Sequence, residues 1–231
     1  MEYTTWRHIF KLDPAKELSD EALERIAESG TDGIIVGGSD GVTLDNVLHL
    51  LARIRRYSVD VALEVSTIDS VTPGFDYYFI PTVLNTDNER YIKGLHLEAL
   101  EAYGHLMTQE QLITEGYCIL NPHCKAAKLT EANADLTLDE VVAHAQLAEH
   151  IFHLPIFYLE YSGTYGDIDV VREVAETLEE TDFVYGGGID SAEKAAEVAR
   201  YADSVVVGNV IYEDLTAALQ TVKAVQKTEK Q

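Results

Sequence analysis

Short apolar runs rich in β-branched and aromatic residues alternate along the chain with stretches whose apolar residues recur every three or four positions. The first kind reads as buried strands and the second as amphipathic helices. HIFKLD, from His8 to Asp13, predicts a first strand halted by Pro14. A helix is expected from near Ser19 to Ser29, with Leu23, Ile26 and Ala27 on one face and Gly30 as its stop. GIIVGGSDG predicts a second strand ending on Gly37, Gly38 and Ser39, and Thr43 is placed to cap a second helix carrying Val47, Leu51 and Ile54. VDVALEV, to about Val65, and YYFIPTV, from near Tyr77, predict the third and fourth strands. Only about a dozen residues, Pro73 and Gly74 among them, separate these two strands, too few for a full crossover helix and its loops.

The spacing of Tyr91, Ile92, Leu95, Ala99, Ala102, Tyr103 and Leu106 predicts a long helix from Asn88 to Met107. GYCILN predicts a fifth strand ending at Asn121 and Pro122, followed by a long polar connection and a helix from Leu138 to Phe152. IFYLEYSG predicts the sixth strand, and Val170, Val171, Val174 and Leu178 mark its helix. DFVYGGG, a helix from Ser191 to Tyr201, SVVVGN and a final helix from Tyr212 onward complete the pattern. Strand and helix alternate about eight times, which predicts an α/β fold: one (β/α)8 barrel of the triosephosphate isomerase (TIM) type over residues 1–231, with a reduced helix after strand 3. An open doubly wound sheet would place its glycine-rich turn after the first strand, whereas here the strongest glycine run follows the seventh.

Composition narrows the function. The 231 residues suffice for a full core, and no Pro/Gly/Ser linker divides them. The formal net charge of −23 argues against nucleic acid and against adhesion to anionic lipid. No apolar run approaches the length of a membrane span, and no signal pattern opens the chain, so a cytoplasmic protein is expected. Cys118 and Cys124 match no zinc spacing and are expected as free thiols.

Two strand ends in tandem, at Gly186, Gly187 and Gly188 and at Gly208 and Asn209, would deliver bare backbone amides to one spot, where barrels of this type hold phosphate. Tight turns are the alternative reading of these glycines. The other predicted strand ends carry Lys11, Asp13, Ser39, Glu64, Asn85, Asn121 and the run Tyr158 to Gly163. No Ser, His and Asp set appears among them, the eight histidines fall in helices and loops, and Lys11 is the only lysine inside a predicted strand. Asp13 with the Ser39 hydroxyl suits Mg²⁺, which takes few protein ligands; otherwise Asp13 caps the turn before Pro14. Glu160 alternates with apolar neighbours and is expected to point into the barrel mouth, either to handle a substrate hydroxyl or to pair with Lys11.

FKLDP, GGSDGVT, EVS, PGFDYYFIPTVLN, EGYCILNP, YLEYSG, FVYGGGI and VVVGN together resemble the PcrB and geranylgeranylglyceryl phosphate synthase family, most closely its bacterial PcrB branch. The resemblance spans nearly the whole chain. It implies transfer of a prenyl group from an isoprenoid diphosphate, for this branch heptaprenyl diphosphate, to the 3-hydroxyl of sn-glycerol 1-phosphate, in a homodimeric enzyme. On matching positions it implies that Lys11, Tyr158, Leu159, Glu160, Tyr161, Ser162, Gly163, Gly188, Gly208 and Asn209 bind glycerol 1-phosphate. Lys11, Tyr158 and Glu160 are then the catalytic set, Asp13 and Ser39 serve Mg²⁺, and Ala99 lines a prenyl groove, where a small residue leaves room for a longer tail. Ordinary helix packing is the alternative for Ala99. A geranylgeranyl-specific enzyme, a sugar-phosphate isomerase and a phosphate-binding scaffold are the rival readings.

Overall fold

A computed structural model of the chain describes residues 2–105 and 108–231. Its centre is a closed barrel of parallel strands in sequence order: β1 (His8–Leu12), β2 (Gly33–Val36), β3 (Asp60–Glu64), β4 (Tyr77–Val83), β5 (Leu112–Ile119), β6 (Ile156–Glu160), β7 (Asp182–Gly186) and β8 (Ser204–Val207). β8 pairs back onto β1, with His8 opposite Val205, so no edge is left unpaired. This is the predicted (β/α)8 architecture.

The helices are α1 (Asp20–Ala27), α2 (Leu44–Ile54), α3 (Leu95–Tyr103), α4 (Lys125–Thr130), α5 (Leu138–Gln146), α6 (Ile168–Thr177), α7 (Ala192–Val198), α8 (Val210–Glu213) and α9 (Leu215–Gln226). Their starts follow the sequence: Ser19 accepts from the Ala22 amide, and Thr43 forms a reciprocal capping box with Asn46. Between β3 and β4 there is only a 3₁₀ turn, Ile68–Ser70, as the short crossover requires.

Alternation along the strands divides the core in two. Outward residues such as Phe10, Leu12, Ile34, Leu63, Phe157 and Leu159 pack against the helices. Inward residues such as Ile9, Ile35, Ala62, Phe79, Ile156 and Val206 fill the barrel. The N-terminal segment closes the floor: Tyr3 and Trp6 are buried, and both meet Tyr77 edge-on at 5.4 and 5.6 Å. The large open cavity lies at the other end.

Three expectations change. The long helix after β4 is a π-helical turn, Arg90–Gly94, leading into α3; its predicted end at Leu106 and Met107 lies outside the described residues. No residue of α3 is fully buried, and Leu97 and Leu100 are 63% and 56% exposed. β5 starts at Leu112, earlier than GYCILN implied, because Leu112 to Tyr117 pair with Tyr78 to Val83 of the long β4. The polar connection after β5 holds α4, and the helix predicted to Phe152 ends in a π-helical segment, Leu147–Phe152.

Candidate active site

The carboxyl ends of the strands open into a cavity of about 890 Å³. Inward positions one strand apart bring Lys11, Glu64, Tyr117, Tyr158 and Glu160 to its base. The two tyrosines come from adjacent strands in direct register, and their rings stack 4.3 Å apart and 13° from parallel. Lys11 Nζ lies 6.0 and 5.7 Å from their centroids and donates to Glu64 Oε2 at 2.7 Å. The Tyr117 hydroxyl donates to the same carboxylate oxygen.

Burial lowers the Lys11 pKa, but the negative charges of Glu64 and Glu160 outweigh it and hold the ammonium above its ordinary value. Glu160 is pushed up to about 7 by burial, against the opposing pull of Lys11 and of the Ser162 amide, which donates to Oε1 at 2.5 Å. A carboxyl near neutrality can take up a proton at working pH. Deeper in the barrel Glu115, 1% exposed and with Oε2 unpartnered, is pushed well above the ordinary range by burial and by Glu64.

The glycine cup forms on the same rim. Gly188 has φ 57°, and a Cβ there would fall 2.2 Å from the Tyr165 amide nitrogen, so only glycine suits the position. The amides of Gly187 and Gly188 donate to no protein group among the described residues. Gly208 and Asn209 stand beside them, and Ser162 and Gly163 line the same wall. Asn121 steadies that wall, donating to the Ser162 carbonyl at 2.7 Å and the Tyr161 carbonyl at 3.3 Å. These unengaged amides and Lys11 therefore line one cavity.

Asp13 and Ser39 lie on the same rim, after β1 and β2, with β1 paired directly to β8. Asp13 Oδ1 accepts from the Ala15 amide at 2.9 Å, so the turn-capping role is real, while Oδ2 has no hydrogen-bond partner among the described residues. The carboxylate packs against Gly38, where a Cβ would come within 2.7 Å of Oδ1. One carboxylate oxygen and an exposed serine hydroxyl fit an ion that keeps water and substrate oxygens in its shell, as Mg²⁺ does.

Several assignments need correction. Leu159 and Tyr161 belong to the outer core, since they alternate with inward Tyr158 and Glu160; their side chains do not line the cavity. Lys11 pairs with Glu64 and not with Glu160. Ala99, expected in a separate prenyl groove and so not among these corrections, is half-buried on α3. His8 is a strand residue, buried between Thr31 and Thr221 hydroxyls, and burial lowers its pKa to about 3.

Sequence reasoning also missed cations. Lys16, Lys125 and Lys194 line the cavity. Lys16 reaches Asn209 at 3.3 Å, and Lys125 pairs with Asp40 across the opening at 2.5 Å. All three stand in or just beyond the connections that follow strands, which is the signal that identifies them. They put positive charge at the mouth of a strongly acidic protein.

A PcrB family model matches residues 1–226. The chain belongs to the PcrB family. Among PcrB relatives, the heptaprenylglyceryl phosphate synthase of Lysinibacillus sphaericus is 60% identical over 228 residues, 99% of this chain and 100% of its own. That of Bacillus cytotoxicus is 58% identical and covers 97% and 98%. Among solved structures, the (S)-3-O-geranylgeranylglyceryl phosphate synthase of Thermoplasma acidophilum, in complex with sn-glycerol-1-phosphate, superposes with a TM-score of 0.86 at 23% identity. It covers 98% of this chain and 96% of its own, and at that identity the likeness speaks for the PcrB barrel alone.

Proposed function

We propose that this PcrB protein joins heptaprenyl diphosphate to the 3-hydroxyl of sn-glycerol 1-phosphate, giving heptaprenylglyceryl phosphate and diphosphate. The observation that carries the reading is the convergence of Lys11, Glu160 and the Gly187, Gly188, Gly208 and Asn209 rim on one cavity. It occurs in a chain 58–60% identical to relatives named for this product.

The glycine rim and Lys11 hold the glycerol phosphate, with Tyr158, Ser162 and Gly163 shaping its pocket. Glu160 accepts the proton of the 3-hydroxyl as that oxygen bonds to the first prenyl carbon. The bond from that carbon to diphosphate breaks, and the electron pair leaves with diphosphate. Asp13 and Ser39 would hold Mg²⁺, which when bound neutralises charge on the departing diphosphate. The prenyl tail would run down the flank where the helix after β3 is missing, toward α3, Ala99 and the exposed Leu97 and Leu100. The family resemblance adds a cytoplasmic homodimer, which sedimentation and cell fractionation test. No helix among the described residues is long and apolar enough to cross a membrane.

The direct test supplies glycerol 1-phosphate with prenyl diphosphates of several lengths, with Mg²⁺ or a chelator. Ether formation that is fastest with the heptaprenyl donor and lost on chelation is expected. A geranylgeranyl optimum would assign the shorter-chain activity, and absence of ether with every donor would discard the reading.

A further inference from the structure

Lys11 has three carboxylates around it, Glu64, Glu160 and Glu115, and it engages Glu64. The choice is built into the barrel. Glu64 on β3 reaches Lys11 on β1 across the intervening β2, and β2 presents Gly37 at that point. A Cβ on Gly37 would stand 2.9 Å from Glu64 Cβ and 3.1 Å from Oε1, so a side chain there would obstruct the carboxylate. From the far side Tyr117 donates to the same oxygen that accepts from Lys11, and Tyr117 is itself fixed by its stack on Tyr158. Glu64 is 7% exposed and its Oε2 is anchored by two donors. No ion pair joins Lys11 to Glu160 among the described residues.

We propose that Glu64 is a positioning residue: it ties the Lys11 ammonium over the tyrosine pair and so keeps it from closing on Glu160. This rests on the reading of Glu160 as acceptor of the hydroxyl proton. An ammonium that paired with Glu160 would stabilise the carboxylate and make it a poorer base. Tied to Glu64, Lys11 keeps N–H donors for the substrate while Glu160 stays open.

The groups facing Glu160 are one cation, Lys11, and two carboxylates, Glu64 and Glu115. Tyr117 and Tyr158 face it from β5 and β6, the Cys124 thiol from the end of the loop before α4, and Tyr185 feels its charge from the outer layer of β7. Replacing Glu64 removes one like charge from this set whatever Lys11 does. The test must therefore compare the change with and without the ammonium.

The Glu160 carboxyl is followed by ¹³C NMR titration in the ligand-free full chain and assigned by its disappearance in Glu160→Gln. In Glu64→Gln its midpoint is expected to fall by about one unit or more. In a chain that also carries Lys11→Gln, the same replacement should move it less than half as far. An unmoved midpoint, or equal movement in both backgrounds, would overturn the proposal. In turnover assays Glu64→Gln should lower kcat about tenfold with Lys11 present and less than about threefold without it. Equal losses would again remove Lys11 as the intermediary. Tyr117→Phe, which removes one of the two donors to Glu64, should give a smaller loss of the same kind and serves if Glu64→Gln does not fold. If the wild-type chain transfers no prenyl group, the functional reading falls, and the NMR comparison alone still decides the role of Glu64.

Discussion

The Glu160 carboxylate accepts a hydrogen bond from the amide of Ser162, two residues further along its own chain. One oxygen is thus committed to shaping the turn after β6, and the group is aimed into the mouth while being raised to about 7 by burial. Glu160→Gln should keep the fold and lower turnover about 10²- to 10⁴-fold, read as kcat at saturating substrates. Near-normal turnover would remove Glu160 from the reaction.

The same elevation gives a pH dependence with a definite sign. Glu160 must be ionised to accept a proton, so kcat should fall as pH drops through about 7. Stability runs the other way. A carboxyl raised from 4.5 to about 7 on folding binds more protons in the native state, so its contribution to stability is present below 4.5 and is lost as pH rises to 7. Glu160→Gln should therefore be more stable than wild type at about pH 8, on the order of 2–4 kcal/mol, and nearly equal to it at about pH 4. Denaturant titration at both pH values checks this, and a less stable variant at the higher pH would contradict it.

Gly188→Ala should fail for steric reasons. It combines a left-handed backbone with a Cβ 2.2 Å from the Tyr165 amide nitrogen. A loss of roughly 1–3 kcal/mol is expected, with binding of glycerol 1-phosphate weakened at least about tenfold in calorimetry. Unchanged affinity would mean that the glycine rim only makes a turn.

Asp13→Asn tests the metal. It leaves an oxygen to cap the Ala15 amide but removes the charge, so the Mg²⁺ concentration for half-maximal rate should rise about tenfold or more. Equal metal dependence in both proteins would move the ion elsewhere.

Ala99→Trp tests the tail. The helix bearing it is loosely seated beside the gap left by the missing crossover helix. A bulky ring there should shift the preferred donor to a shorter chain in product analysis by mass, and an unchanged length profile would detach Ala99 from donor selection.

The barrel was legible in the sequence because most strands are short β-branched or aromatic runs punctuated by glycine or proline, and because GIIVGG and DFVYGGG end on glycines that line the cavity. Lys11, Asp13, Ser39 and Glu160 were legible from the same ends. Leu159 and Tyr161 were misjudged because a contiguous motif was read as a contiguous surface, whereas a strand shows only alternate side chains to either face. Glu115 was hidden because LITE, where only Leu112 and Ile113 are apolar, reads as strand only once its pairing with β4 is known. The tie between Lys11 and Glu64 could not be read from spacing, since it joins residues 53 positions apart through a register that only the closed sheet defines.

The floor sealed by Tyr3 and Trp6 has a consequence for traffic. For a reaction at the other end of the barrel, the water-soluble acceptor and the departing diphosphate would share the opening at the carboxyl ends of the strands. Diphosphate that stayed there would stand in the way of the next acceptor.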